Sequence, residues 1–185
     1  MKFKTVLIGS IITVVVIFVL VLSSAIASQN TAINLEEQVE SAQSAINVQE
    51  KRRVDLIFNL VDTVESYNKH EKETLVQLAE ARTQAKGGNV EEAQMTIQAV
   101  AEAYPELKSQ ENYKTLMLEL STTENLIAEH RNNFNTQVKS YNKHVRSFPK
   151  TILLPMVGYE KKDYKYLDYN APVDAPQNLF DRDKK

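Results

Sequence analysis
The chain has no cysteine, and its 185 residues include only four glycines, five prolines and three histidines. Without cysteine there is no disulfide, no thiol nucleophile, no thiolate-bound metal and no lipid-modified N-terminal cysteine. None of the histidines, His70, His130 and His144, follows a glutamate by three positions, so the Glu-x-x-His signature of di-metal bundles is missing. "HEKE" at His70 lacks the second histidine of a zinc hydrolase motif, and His70 reads as a solvated or helix-terminal residue. Nothing resembles a nucleophile elbow. The one Gly-Gly pair, within Lys86–Asn89, follows no strand and lacks the lysine spacing of a phosphate loop. The expectation is therefore no enzyme, no metal and no cofactor. A formal charge of −2 gives no support to a nucleic-acid partner.

Charge is also missing locally. No Asp, Glu, Lys or Arg occurs from Thr5 to Leu35. The apolar heart of this run, Val6–Leu22, has 17 residues, and extended to Ala27 it has 22, enough to cross a hydrocarbon core of about 30 Å. A buried helix of a soluble protein would carry a polar face, and this run has none. Ala25-Ile26-Ala27 also fits a signal-peptidase site, so a cleaved signal peptide is the rival reading. The run exceeds the usual length of such a peptide's apolar part, which favours a retained anchor. Lys2 and Lys4 precede it and no basic residue follows until Lys51, which puts the N-terminus in the cytoplasm and the bulk of the chain outside. With those two lysines set aside, the 22 basic residues fall to 20 against 24 acidic ones, a charge of −4 on the exported part.

What remains is periodic. With 43% hydrophobic residues the chain can bury a core, and its length suits one domain. Apolar residues step by three and four through Leu35, Val39, Ala42 and Ile46, lapse at Gln49 and Arg53, and resume at Ile57, Leu60, Val64 and Tyr67. The pattern returns at Leu75, Leu78 and Ala85, stops at the glycine pair, and continues in a short helix over about 90–103 that Pro105 ends. A last long helix, about 111–148, shows Tyr113, Leu116, Leu120, Ile127, Phe134, Val138, Tyr141, Val145 and Phe148 on one face. Glu124 and Arg131 interrupt it. No stretch reads as a strand. Length matching favours a break near Ser66–Glu71, giving two helices of about 40 residues and two of about 16, in an all-α, up-and-down four-helix bundle.

Several of these stretches resemble the LemA family: "KRRVDLIFNLVDTV" (Lys51–Val64), "HEKETL" (His70–Leu75), "EARTQA" (Glu80–Ala85), the run Tyr104–Asn135, and "YNKHVRSFP" (Tyr141–Pro149). They keep the family's order over about residues 30–159. Phe58 departs from it, standing where the family usually has proline, so a proline-dependent kink is not expected here. The resemblance implies a single-span bacterial membrane protein with an exported four-helix bundle and no established catalytic function. Some relatives are linked to membrane remodelling and others to envelope stress.

In such a bundle the first and last long helices are antiparallel neighbours, and Arg53 falls within one position of Glu124. Asp55 and Asn59 are expected at the same level on the first helix and Asn125 on the last. Arg131 and Asn135 should lie two turns further along. This polar belt reads either as a network fixing helix register or as a groove for a ligand or partner.

Three segments result: an anchor over 1–28, the bundle over 29–149, and a tail over 150–185 with three of the five prolines and four of the eight tyrosines. The tail returns to the membrane-proximal end. There "TILLPMVGY" either caps the bundle or dips into the bilayer interface, being too short to span it. The final "DRDKK" is expected to be disordered. The expected partners are the lipid bilayer through the first helix, and another membrane protein or a second copy. The expected role is a scaffold or adaptor, with an extracytoplasmic sensor as the alternative.

Overall fold
A computed structural model describes residues 2–67 and 72–168. His70 and the final "DRDKK" lie outside the described residues, as does most of the expected break at 66–71. Among the described residues every regular element is helical. They are α1 (Lys2–Tyr67), α2 (Lys72–Lys86), α3 (Val90–Ala103), α4 (Pro105–Ser109), α5 (Glu111–Arg146) and α6 (Lys150–Met156).

The 66 residues of α1 run without a break through residue 28. At 1.5 Å per residue the helix is roughly 99 Å long. No glycine or proline interrupts it after Gly9, so nothing in its backbone invites a kink. From Leu7 to Ser24 its side chains are exposed on every side. Packing begins at Ala25, only 2% exposed.

The long helices α1 and α5 lie against each other in opposite directions, with Ser28 at His144, Glu50 at Arg131 and Arg53 at Glu124. Glu111 in the first turn of α5, and Lys143, His144 and Arg146 in its last, suit the helix dipole. The helix ends at Arg146, two residues before the expected Phe148. Ser147 is extended and Phe148 precedes Pro149, a position that disfavours helix. Phe148 consequently leaves the buried face and is exposed.

The two short helices reach only the half of the bundle farther from the apolar run. They pack on each other and on α1, and their core joins Leu56, Ile57, Leu60, Val61 and Val64 of α1 to Leu78, Ala81, Ile97 and Val100, with Tyr113 and Leu120 of α5. The turn between them carries Gly88 at φ +90°, a conformation that favours glycine, and the amides of Gly87 and Asn89 cap α2 on Thr83 and Gln84 carbonyls at 2.9 Å. Pro105 opens α4, where its missing N–H costs no helical bond, and this single turn inserts Leu107 into the same core. The sequence pattern gave no sign of α4.

The half next to the apolar run is built otherwise. There α1 and α5 bury Ala32, Val39, Ala42 and Ile46 against Phe134, Val138, Tyr141 and Val145. A pair of helices leaves its seam open along one side. The chain after α5 covers it: α6, also not anticipated, contributes Leu154, and the irregular segment beyond it contributes Tyr159, with Tyr164 and Leu167 alongside. Tyr141 and Tyr164 meet edge to face with ring centroids 5.0 Å apart.

The distal core sets a stability expectation. Leu60 is fully buried, so Leu60→Ala should cost about 2–5 kcal/mol in chemical denaturation. Leu118 on α5 is 69% exposed, and Leu118→Ala should stay within about 0.5 kcal/mol of the parent. Equal losses at both positions would contradict the packing described.

Candidate functional site
Between the distal and proximal cores lies a polar waist on the α1–α5 seam. Arg53 sends Nη1 to both oxygens of Glu124, at 3.1 and 3.2 Å. The arginine side chain is 16% exposed and the carboxylate 38%. One turn nearer the apolar run of α1 the charges cross over: Arg131 of α5 donates Nη2 to Glu50 of α1 at 2.9 Å. Gln49 Oε1 and Arg53 Nε, four residues apart on α1, are buried there without a hydrogen-bond partner. The α2–α3 turn overhangs the waist. Gly88 to Glu92 and Arg53 line a shallow cleft of about 290 Å³.

The expected belt is therefore brought together only in part. Arg53 and Glu124 meet, while Asp55, Asn59 and Asn125 are exposed. Two residues along a helix is a rotation of about 200°, so Asp55 cannot share the face of Arg53. Asn135 does something else: it pairs with the tail backbone, giving Nδ2 to the Leu167 carbonyl at 3.0 Å and accepting the Leu167 amide at 2.8 Å. Glu50 was missed as the partner of Arg131. Its place three residues before Arg53 on α1, with the opposite charge, was the available signal.

A second polar cluster, with no periodic signature in the sequence, fastens the tail. Tyr159 donates its hydroxyl to Glu36, and Tyr141 joins through the Tyr159 oxygen at 3.0 Å. Burial, and then the bond to Glu36, hold the Tyr159 phenol well above its ordinary value. Lys162 reaches Glu40 at 2.8 Å and Glu36 at 3.2 Å, and its backbone amide donates to the Tyr141 oxygen at 2.8 Å. At the base, His144 is buried, with Nε2 on the Ser28 carbonyl at 2.9 Å and Lys150 Nζ on its Nδ1 at 3.1 Å. Among the described residues no group of three or more His, Asp or Glu could hold a metal. The waist and the tail clasp bind helices to one another.

Two expectations follow from these contacts. Glu124→Leu should destabilise more than Arg53→Leu in urea titrations, because it strands a largely buried guanidinium, whereas Glu124 without Arg53 can rehydrate. Charged hydrogen bonds of this kind contribute about 1.5–3 kcal/mol. The double mutant should recover part of the loss, with coupling above the ~0.5 kcal/mol scatter of independent sites. Strict additivity would deny the contact.

The tail clasp should depend on pH. Hydrogen bonding and the charge of Lys162 hold the Glu40 carboxyl below its ordinary 4.5. A lowered carboxyl stabilises the folded clasp above that ordinary value and ceases to do so as pH falls through the lowered one. The bond to Glu40, and then that to Glu36, hold Lys162 above its ordinary 10.5, so its contribution is complete below 10.5 and fades only in strong alkali. A spin label at Lys165→Cys should be immobile at neutral pH and become mobile once pH drops below 4.5, before helicity is lost. A label equally mobile at all pH values would show that the clasp does not hold.

Comparison with known proteins bears on this architecture. The profile of the LemA family matches residues 42–180, which takes in the waist, both short helices, α5 and the tail. Protein LemA of Metamycoplasma hominis is 25% identical over 135 residues, 66% of this chain and 62% of that protein. Magnetosome protein MamQ of Magnetospirillum gryphiswaldense is 29% identical over 83 residues, 44% of this chain and 30% of that protein. Magnetosome protein MamQ 2 of Paramagnetospirillum magneticum is 31% identical over 68 residues, 37% of this chain and 25% of that protein. The chain thus spans less than two thirds of the length of each relative. The helical architecture, the apolar first helix and the extent of the profile match agree: this chain belongs to the LemA family.

Proposed function
We propose that the protein is a non-enzymatic scaffold or adaptor that holds an up-and-down helical bundle outside the bacterial cytoplasmic membrane, with its N-terminus in the cytoplasm. One observation carries the reading: the helix that supplies the apolar span is also the central core helix of the bundle. A protein built this way ties the position of its exported faces to the bilayer. The polar contacts of the seam and tail are used in holding helices together, which leaves the outer faces for another membrane protein or a second copy. Retention of the anchor draws support from the base, where Ala25 is buried and Ser28 is bonded to His144. Cleavage after Ala27 would remove the first of these and cut the helix beside the second.

The alternative is a sensor that binds a ligand at the waist. It is favoured by the unpartnered Gln49 Oε1 and Arg53 Nε beneath the α2–α3 turn. Isolation in mild detergent with the anchor intact separates the two. The scaffold reading expects a stoichiometric protein partner or a defined oligomer, unaffected by Arg53→Leu. Capture that fails only in Arg53→Leu, in an otherwise folded protein, would move the waist to first place.

Topology is tested directly. Protease added to intact spheroplasts should digest the bundle while sparing a cytoplasmic control. Digestion only after lysis would reverse the orientation. A mature chain that begins at Ser28 and washes free of membranes would replace the anchor with a signal peptide.

A further inference from the structure
His144, bonded to Ser28, lies two residues before the end of α5. Because α5 runs opposite to α1, the chain beyond Arg146 continues toward the bilayer. It turns through residues 147–158 and climbs back, reaching Glu36 at Tyr159, Glu40 at Lys162 and Asn135 at Leu167. The α5–α6 corner is therefore the membrane-proximal tip of the exported domain.

The level of that tip follows from helix geometry. From Val6 to Ala25 are 20 residues, a rise of roughly 30 Å, which is the thickness of a hydrocarbon core. Ala25 is where the bundle first covers α1. The domain thus begins where the hydrocarbon ends.

The tip is apolar on its outer side. Phe148 is 81% exposed, Ile152 55% and Met156 67%. They are spaced by four, so Ile152 and Met156 share one face of α6 and Phe148 stands directly before it. The opposite side holds Leu154, buried in the proximal core, which fixes α6 in place. Lys150 opens α6 beside this patch, a charge suited to anionic headgroups. Such a contiguous apolar patch is unfavourable in water and marks a contact surface. Lipid is the surface that continuity with the span places against it.

We infer that Phe148, Ile152 and Met156 insert into the outer leaflet, so that α6 is an interfacial foot that holds the bundle upright on the membrane. The capping and interfacial readings of "TILLPMVGY" are then both correct, for opposite faces of one short helix. The foot rests on the reading of α1 as a retained anchor, and the test keeps the two apart.

Because the chain has no cysteine, single cysteines carry a polarity-sensitive fluorophore without background. The full chain would be labelled at Phe148→Cys, Ile152→Cys or Met156→Cys and reconstituted in phosphatidylcholine–phosphatidylglycerol vesicles bearing nitroxide acyl chains. Val16→Cys and Leu118→Cys serve as references inside the span and far out on α5. The foot predicts blue-shifted emission and loss of intensity to nitroxide at all three tip positions and at Val16, with none at Leu118. Quenching at Val16 alone would overturn the foot and leave the anchor standing. No quenching at Val16 would overturn both. Shielding at the tip that depends on protein density and not on nitroxide would assign the patch to a second copy and also overturn the proposal. As a confirming variant, Phe148→Glu with Ile152→Glu should abolish quenching at Met156→Cys while leaving the melting transition unchanged, since neither side chain is in the core.

Discussion
The antiparallel contact between α1 and α5 fixes everything else in the molecule, and its register is set by pairs that cannot be traded. Ser28 meets His144 at the base, Glu36 reaches Tyr141, Glu50 takes Arg131 and Arg53 takes Glu124. An apolar seam of Leu, Ile and Val tolerates a shift of one turn at modest cost, because one buried aliphatic face resembles the next. A charged waist does not. Sliding α5 by four residues would put Arg53 against Leu120 or Ala128 and leave two carboxylates without cations. Ion pairs at such depth add little net stability over well-packed apolar residues, and selecting one alignment is the role that suits them here.

Length then dictates how the seam is covered. α5, at 36 residues, is roughly 54 Å long, while α2 and α3, at 15 and 14, extend only about 22 Å. The short pair protects one half of the seam, and the returning tail protects the other. The waist lies near the junction of the two covers, under the α2–α3 turn. Charge at that level is consistent with its exposure: Glu124 and Arg131 keep partial access to water that no residue of either core has. The same discontinuity leaves Gln49 Oε1 and Arg53 Nε without partners.

Much of this was legible in the sequence because helical periodicity reports a buried face directly. The stripe Ile57, Leu60, Val64 and the lapse at Arg53 located both core and waist, and counting along antiparallel helices paired Arg53 with Glu124. The bounds of α3 were readable from the glycine pair and Pro105. What escaped notice depends on contacts that no local pattern encodes. The clasp of Tyr159 and Lys162 on Glu36 and Glu40 joins residues more than 120 positions apart. Asp55, Asn59 and Asn125 were assigned to the belt by nearness in number, where rotation about the helix axis turns them outward. α6 was hidden because seven residues with an internal proline carry too little periodicity, and its amphipathic character shows only once Leu154 is seen to be buried and Ile152 exposed.

An unbroken α1 has a mechanical consequence. A signal or partner acting on the distal helices cannot be absorbed at a hinge, since no glycine or proline lies in α1 beyond Gly9. Displacing the distal core therefore tilts the whole rod, including its apolar N-terminal part. An interfacial foot at Phe148, Ile152 and Met156 opposes tilt toward some directions and permits it toward others, because it projects from one side of α1 only. The lever is about 42 residues from Ala25 to Tyr67, roughly 63 Å, so a small movement of the distal end is a smaller one at the lipid, delivered with greater force. A helical bundle on such a rod could do work on a membrane in this way, by converting contacts on its faces into the angle at which its apolar helix crosses.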